Sequence, residues 1–314
     1  MTASTFRLQP TTDLRHPGLT ATVPRELVHR ASVAEVVLTD WRREDENRFR
    51  LAAQWPRGHS FFAPVEDGRH DPLIVAETIR QAGTLLAHAE FGVPLASRFL
   101  VHDLDVAVRP ERLHVGHAPA SVDIDLACTR LRLQRGVPAG LQIRAVLRRE
   151  GRVAATGGGS MSCVSPAAYA RLRARTPLSD AAAPPLTAPA APQSVGRTSP
   201  TDVVLSPTSD PHAWRLRVDT RHPVLFDHPL DHVPGMLLLE AARQAAAGVL
   251  RRPTLMPLSL AGRFHRYVEL HTPCTVTARL LPHTPDNPRT VHVTARQNDR
   301  TAFTATATAL PHPL

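Results

Sequence analysis

Two copies of one polar pattern stand 163 residues apart in this chain. Glu77-x-x-Arg80-Gln81-Ala82 returns as Glu240-x-x-Arg243-Gln244-Ala245, and a histidine precedes each glutamate by the same distance, His59 and His222. These residue types suit acid–base chemistry and anion binding. A carboxylate whose pKa is raised by burial can take a proton. A guanidinium one turn further on can hold a phosphate in its planar fork, or lie on the neighbouring carboxylate. Taken singly, a Glu and an Arg at i, i+3 are most often a solvated helix pair. Recurrence beside two apolar runs, each with its upstream histidine, favours a site. A fixed-offset repeat also marks a duplicated unit. Two copies are too few for a solenoid, so the expectation is one module folded twice and packed as a pseudo-dimer.

Helices must carry these residues. Across 72–87 nearly everything is apolar or small except Glu77, Thr78, Arg80, Gln81 and Thr84. Positions 77, 80, 81 and 84 follow the i, i+3, i+4, i+7 series and share one face. Glu240, Arg243 and Gln244 repeat that stripe. A helix apolar on its other faces is a buried helix, and a carboxylate on it needs a partner or a wet cleft. Strands mostly follow each helix. Val122, Ile124 and Leu126, then Leu141, Ile143, Ala145 and Leu147, alternate with polar or small residues in the first half. Val276, Ala278 and Leu280, then Val291, Val293 and Ala295, then Phe303, Ala305, Ala307 and Ala309, do so in the second. A period of two is the mark of a half-buried strand. The fold class expected is α+β, each half one helix wrapped by a curved antiparallel sheet.

The Ala/Pro-rich stretch 179–200 cannot hold a helix or bury a core and reads as an extended linker. The expected division is an N-terminal arm over 1–24, one domain over 25–165, a basic helical segment and linker over 166–200, and a second domain over 201–314. The 314 residues suffice for about two domains, and 42% hydrophobic with 21% charged residues is the balance of a soluble globular chain. All 37 basic residues are arginine and the formal charge is +9, which favours anionic partners. With 4% aromatics and no recognisable motif, nucleic acid is not among them. Met1 to Thr22 has no apolar leader and no run is long enough to span a bilayer, so no membrane association and a cytoplasmic location are expected. Cys128, Cys163 and Cys274 have no paired metal spacing and read as reduced thiols. Trp41, Trp55 and Trp214 are read as filling core or interface space.

Long segments resemble a known family, the A-factor biosynthesis (AfsA-type) proteins of actinomycetes, which are tandem hotdogs. They are Gln54-Trp55-Pro56-Arg57-Gly58-His59-Ser60-Phe61-Phe62-Ala63-Pro64, His70-Asp71-Pro72-Leu73 onward to Gln81, and His88 to Pro94. In the second half His222-Pro223-Val224-Leu225-Phe226-Asp227-His228-Pro229-Leu230-Asp231-His232-Val233-Pro234-Gly235-Met236 runs on into the Glu240 stripe. The resemblance implies an acyltransferase that joins a β-ketoacyl group from an acyl carrier protein to the hydroxyl of dihydroxyacetone phosphate. The product leads to γ-butyrolactone-type signals that control antibiotic production. Carrier protein and dihydroxyacetone phosphate are the implied partners, with no cofactor beyond the thioester substrate. A monomeric pseudo-dimer or a homodimer is the expected assembly.

Attack of an alcohol on a thioester needs a base, donors for the oxyanion and a hold on the phosphate. Glu240, with Glu77 as alternative, is the expected base. Arg243 or Arg80 is expected to hold the phosphate. Gln244, Gln81, Gly235 and His228 are further candidate substrate contacts, although the glutamines could equally satisfy backbone groups at the pseudo-dimer seam. His59 resembles the histidine that faces the opposite glutamate in hotdog dehydratases, so it is expected to meet Glu240. Pro234-Gly235 opens the second helix, where free N–H groups point outward. The first helix starts at Asp71-Pro72 without that glycine, so the halves hold different roles or one site has decayed. Asp227, His228, Asp231 and His232 suggest a metal site, but Pro229 and Pro234 break any helix there; a hydrogen-bonded turn is expected and no metal. Pro234-Gly235 and Glu240 keep a hotdog dehydratase or thioesterase as the enzyme alternative. A non-catalytic acyl- or butyrolactone-binding module is the other, though no helix-turn-helix accompanies it.

Overall fold

The computed structural model of the chain describes residues 21–134, 136–174, 185–284 and 286–310. In the first half, strands β1 (Leu38–Arg43) and β2 (Arg48–Trp55) precede helix α1 (Pro72–Ala89). Four strands follow: β3 (Arg98–Val108), β4 (Ala120–Gln134), β5 (Val137–Arg149) and β6 (Arg152–Val164). A short helix α2 (Pro166–Arg173) leads out, capped by Ser165 Oγ on the Ala168 amide. The second half repeats the order: β7 (Leu205–Pro207), β8 (Ala213–Leu216), α3 (Gly235–Leu250), β9 (Ser259–Phe264), β10 (Cys274–Leu280), β11 (Arg289–Gln297) and β12 (Arg300–Ala309).

Among the described residues the strands form one 12-stranded sheet in the order β1-β2-β4-β5-β6-β3-β9-β12-β11-β10-β8-β7. Read outward from the β3–β9 pair, each strand matches the one numbered six strands later, as a pseudo-twofold axis through that seam requires. At the seam the strands run antiparallel, with Leu104 opposite Gly262 and Val106 opposite Leu260. Each half is a hotdog: a curved antiparallel sheet around one central helix. The alternation in β4 from Ala120 to Cys128 buries one face of that strand, and the stretch of α1 from Pro72 to Ile79 is buried throughout. Close approach at the seam side of α1 depends on Gly157 in β6, where a Cβ would collide with the Asp105 carbonyl and sit 2.7 Å from Ile79 Cδ1.

Two expectations about the chain's edges change. Of the expected arm, residues 1–20 lie outside the described residues, but Val23 is buried and its amide donates to the Leu38 carbonyl at 3.0 Å. Of the expected linker, 175–184 also lie outside them. The rest is not a loose spacer: Ala190, Val195 and Arg197 are buried, and the Ala190 amide bonds the Leu205 carbonyl at 2.8 Å. Contrary to the expectation that this Pro/Ala-rich run holds no helix, it forms a short 3-10 turn over Pro192–Val195, and its Ala190 bonds the edge of β7.

Candidate functional site

The polar stripe of α3 is a closed ion-pair cluster. Glu240 is fully buried. Its Oε2 accepts from Arg243 Nε at 2.8 Å; its Oε1 accepts from Arg243 Nη2 at 2.6 Å, from Arg197 Nε at 2.7 Å and from Gln244 Nε2. Gln244 also donates to the Asp202 carbonyl at 2.8 Å and accepts from the Val204 amide at 3.0 Å. On α1 the set recurs. Arg80 grips Glu77 at 2.9 and 2.7 Å, Arg30 Nε donates to Glu77 Oε1 at 3.0 Å, and Gln81 joins Glu77, the Glu35 carbonyl and the Val37 amide. Burial by itself would raise both carboxyls. Two guanidinium groups on each, with the amide hydrogen bond, outweigh it and hold Glu77 and Glu240 at about 2.

This reverses the raised pKa expected of Glu77 and Glu240, because a second arginine, Arg30 or Arg197, joins each pair. A carboxylate so held is a poor proton acceptor at neutral pH. The phosphate role expected of Arg243 and Arg80 meets the same obstacle. Arg243 is 1% exposed and its remaining nitrogen donates to the Gly196 carbonyl at 3.3 Å. Arg80 shares its Nη2 between Glu77 and the Val28 carbonyl. Gln81 and Gln244 are fully buried with their amides engaged, so of their two expected readings the backbone one describes the geometry.

His59 does not meet Glu240. Its Nδ1 accepts from the Phe61 and Phe62 amides, both at 3.1 Å, and its Nε2 lies 3.4 Å from Glu35. His222 repeats this with the Val224 and Leu225 amides and Asp202. Arg197 occupies the path across: its Nη1 donates to the Phe61 carbonyl at 2.6 Å and its guanidinium stacks on the Phe61 ring at 4.3 Å.

The two helix starts differ. Asp71 Oδ1 caps α1 by accepting from the Leu73 amide at 2.9 Å, and Asp71 and His70 are both buried. Pro234 holds the same place on α3 and gives no side-chain cap. On α1 the Leu73 amide meets the Asp71 carboxylate; on α3 the Leu237 and Leu238 amides bond the Pro234 carbonyl, and the Gly235 and Met236 amides have no side-chain cap. The α3 start opens into a cavity of about 780 Å³ lined by Gly235, Leu238, Phe99 and His102 from the other half, His232, Arg266 and Arg300. A Cβ on Gly235 would stand 3.1 Å from the Phe264 ring, close enough that the ring would have to give. His228 lies elsewhere, half-buried with its Nδ1 3.4 Å from Asp227, beside a second cavity of about 750 Å³.

On the wall of the first cavity His232 Nδ1 lies 2.6 Å from Asp231 Oδ1. Asp231 also accepts from the Tyr169 hydroxyl at 2.7 Å and from Arg173 Nε at 3.1 Å, both on α2. Arg173 forks onto Glu269 with two bonds of 2.7 Å, and the Tyr267 ring meets His232 edge-on at 4.6 Å. Burial lowers the His232 pKa against the opposing pull of Asp231. Arg266 and Arg300 are exposed and make no ion pair among the described residues. Those residues contain no group of three or more His, Cys, Asp or Glu placed to hold a metal, and no helix among them is long and apolar enough to cross a membrane.

The sequence model for the A-factor biosynthesis hotdog domain matches residues 12–165 and 178–313. The chain belongs to this family. It is 52% identical over 285 residues to a 2-oxo-3-(phosphooxy)propyl 3-oxoalkanoate synthase of Streptomyces virginiae, covering 91% of this chain and 96% of the relative. A protein of the same name from Streptomyces griseus is 43% identical over 278 residues, 88% of this chain and 92% of the relative. Among solved structures, an acyl-ACP thioesterase from Bacteroides thetaiotaomicron shares the fold, with a TM-score of 0.51 at 11% identity over 82% of this chain and 97% of the other.

In this A-factor family chain several groups of the cavity and clusters escape the motif reading. Arg30 and Arg197 had a visible signal. Arg30-x-Ser32-x-x-Glu35-Val36-Val37-Leu38 returns as Arg197-x-Ser199-x-x-Asp202-Val203-Val204-Leu205, a second repeat at an offset of 167. Asp231 and His232 adjoin Pro234-Gly235 and are visible as a pair, but nothing in the sequence says that Tyr169 and Arg173 reach them from another element.

Proposed function

We infer that this chain condenses a β-ketoacyl group, delivered as an acyl-carrier-protein thioester, with the hydroxyl of dihydroxyacetone phosphate, on the way to a γ-butyrolactone-type signal. The synthase names borne by relatives at 43% and 52% identity support the acyl transfer and the phosphorylated three-carbon acceptor. The observation that carries the placement is the uncapped α3 start opening on a cavity with unpaired arginines, in one half only. The thioester carbonyl lies against the first-turn N–H groups of α3, which are oriented before the oxyanion forms and therefore favour it over the planar carbonyl. Arg266 and Arg300 hold the phosphate by paired bonds from planar guanidinium groups. Leu238 and Phe99 give the acyl chain an apolar wall. Arg98 and Arg171, exposed beside the cavity-lining Phe99 and Leu172, suit an acidic carrier protein.

The test is incubation of the protein with a β-ketoacyl carrier protein and dihydroxyacetone phosphate, followed by mass spectrometry. The phosphorylated keto-ester is the expected product, with the thioester left intact when the acceptor is withheld. Thioester hydrolysis in place of ester formation, or loss of water from a β-hydroxyacyl carrier protein, would favour the thioesterase or dehydratase reading instead.

A further inference from the structure

The transfer needs a group to take the acceptor's hydroxyl proton, and the ion-paired glutamates are unsuited to it. We propose that His232 is that catalytic base and Asp231 its positioning residue, an inference that rests on the acyltransferase reading above. The Nδ1 of His232 points at Asp231 Oδ1, 2.6 Å away. That contact sets the proton on Nδ1 and leaves the lone pair on Nε2. Nε2 has no partner among the described residues, and the ring lines the cavity that Gly235 also lines. The imidazole therefore stands on the same wall as the uncapped helix start, two residues before its first cap position.

The support comes from two other parts of the chain, α2 and the segment after β9, which a surface His–Asp contact does not need. Tyr169 and Arg173 of α2 fix the carboxylate, Glu269 fixes Arg173 in turn, and Tyr267 packs edge-on against the imidazole. Arg173 also lies over the Tyr267 ring at 4.9 Å. Shifted by the 163-residue repeat, Asp231 and His232 fall on Gly68 and Arg69, so the first half has no such pair. The half with the open helix start is also the half with the dyad.

The step balances without any outside reagent. Nε2 takes the hydroxyl proton as the acceptor oxygen bonds to the thioester carbonyl carbon. Collapse of the tetrahedral intermediate breaks the C–S bond, and the leaving thiolate takes the proton back from the imidazolium. Ester and free carrier thiol result, with no change of oxidation state. Burial favours the neutral ring, the form that can accept a proton at neutral pH. The charged and titratable groups facing it are Asp231, Arg173, Glu269, Tyr169 and Tyr267, with His102, His265, Arg266 and Arg300 around the cavity.

His232→Gln should lower kcat for ester formation by ~10²–10⁴-fold, the usual loss of a general base, with KM for either substrate changed only a few-fold. Asp231→Asn should lower kcat less and move the acid limb of the kcat/KM profile to lower pH, because the carboxylate that favours imidazolium is gone. A folded His232→Gln at wild-type kcat, or an Asp231→Asn profile that stays in place, overturns the proposal; the second result decides it even where His232→Gln fails to fold. A wild type that forms no ester overturns the acyltransferase reading and the base with it. A wild type that forms ester beside a fully active His232→Gln overturns the base alone.

Discussion

Arg30 and Arg197 are counterparts, and each reaches across the pseudo-twofold seam. Arg30 Nη1 donates to the Val224 carbonyl at 3.1 Å while its guanidinium holds Glu77; Arg197 Nη1 donates to the Phe61 carbonyl at 2.6 Å while holding Glu240. Each arginine ties the central helix of its own half to the histidine-bearing turn of the other. Such buried pairs are weak sources of net stability, but removing one partner strands the other charge. The repeated glutamates and arginines are therefore best understood as a reciprocal lock that sets how the two hotdogs meet.

Arg197→Ala should lower the unfolding free energy, by less than the ~3–5 kcal/mol of a buried charge left alone, because Arg243 still forks onto Glu240. Arg30→Ala should behave alike, since Arg30 is also buried against its glutamate. Urea denaturation measures both. A midpoint equal to that of the wild type would show that the lock holds nothing.

The same lock predicts acid sensitivity. Glu77 and Glu240 lie at about 2 in the folded chain against an ordinary 4.5. A depressed folded pKa gives stability that is present above the unfolded value and lost as pH falls through the folded one. Stability should fall between roughly pH 5 and pH 2, and the Glu77→Gln, Glu240→Gln double variant should show a flatter slope from a lower start. Buried Asp71, whose pKa is raised, works in the opposite sense, so the comparison must be made on these two positions alone. Urea midpoints across that range check it, and identical slopes would refute it.

The arginines divide by exposure. Arg266→Ala or Arg300→Ala should raise KM for dihydroxyacetone phosphate by ~10–100-fold, the equivalent of ~1.5–3 kcal/mol for a hydrogen bond to a charged group. Use of unphosphorylated dihydroxyacetone should change little. Arg243→Lys should instead cost stability, because a point charge cannot reproduce the fork onto Glu240. Steady-state kinetics with both acceptors, beside thermal melts, separate the two effects. An Arg243→Lys variant of full stability that discriminates against the phosphate would return the phosphate to the helix.

The duplicated architecture was legible because its signals are local. The 163-residue repeat, the apolar helices and the period-two strands around 122–126, 141–147 and 291–295 all match elements of the sheet. The polar stripe was legible as a constellation, but its role was not. Whether a buried carboxylate has a raised or a lowered pKa depends on what packs over it, and Arg30 and Arg197 arrive from 47 and 43 residues upstream. His59 was misplaced for the same reason, since Arg197 fills the gap it was expected to cross. The Asp231–His232 pair read as a turn because its support comes from α2, and no local pattern registers such a contact.

The two helix starts give the sharpest comparison between the halves. Asp71 caps α1, so Asp71→Ala should cost about 1 kcal/mol of stability, the usual value of a lost cap, while kcat stays at the wild-type level. Gly235 on α3 has different neighbours. A Cβ there would stand 3.1 and 3.3 Å from the Phe264 ring, which packs on Phe303 with centroids 5.0 Å apart and lines the cavity. Because the ring lines the cavity it can tilt into it, which relieves the strain of overpacking, ~1–3 kcal/mol where nothing yields, and narrows the space proposed for the thioester. Gly235→Ala should therefore melt close to the wild type and lose kcat, the reverse of Asp71→Ala. Melting curves and ester-forming rates on the two variants decide it. If Asp71→Ala loses turnover as severely as Gly235→Ala, the first half also carries chemistry, and the assignment of a single working end to α3 fails.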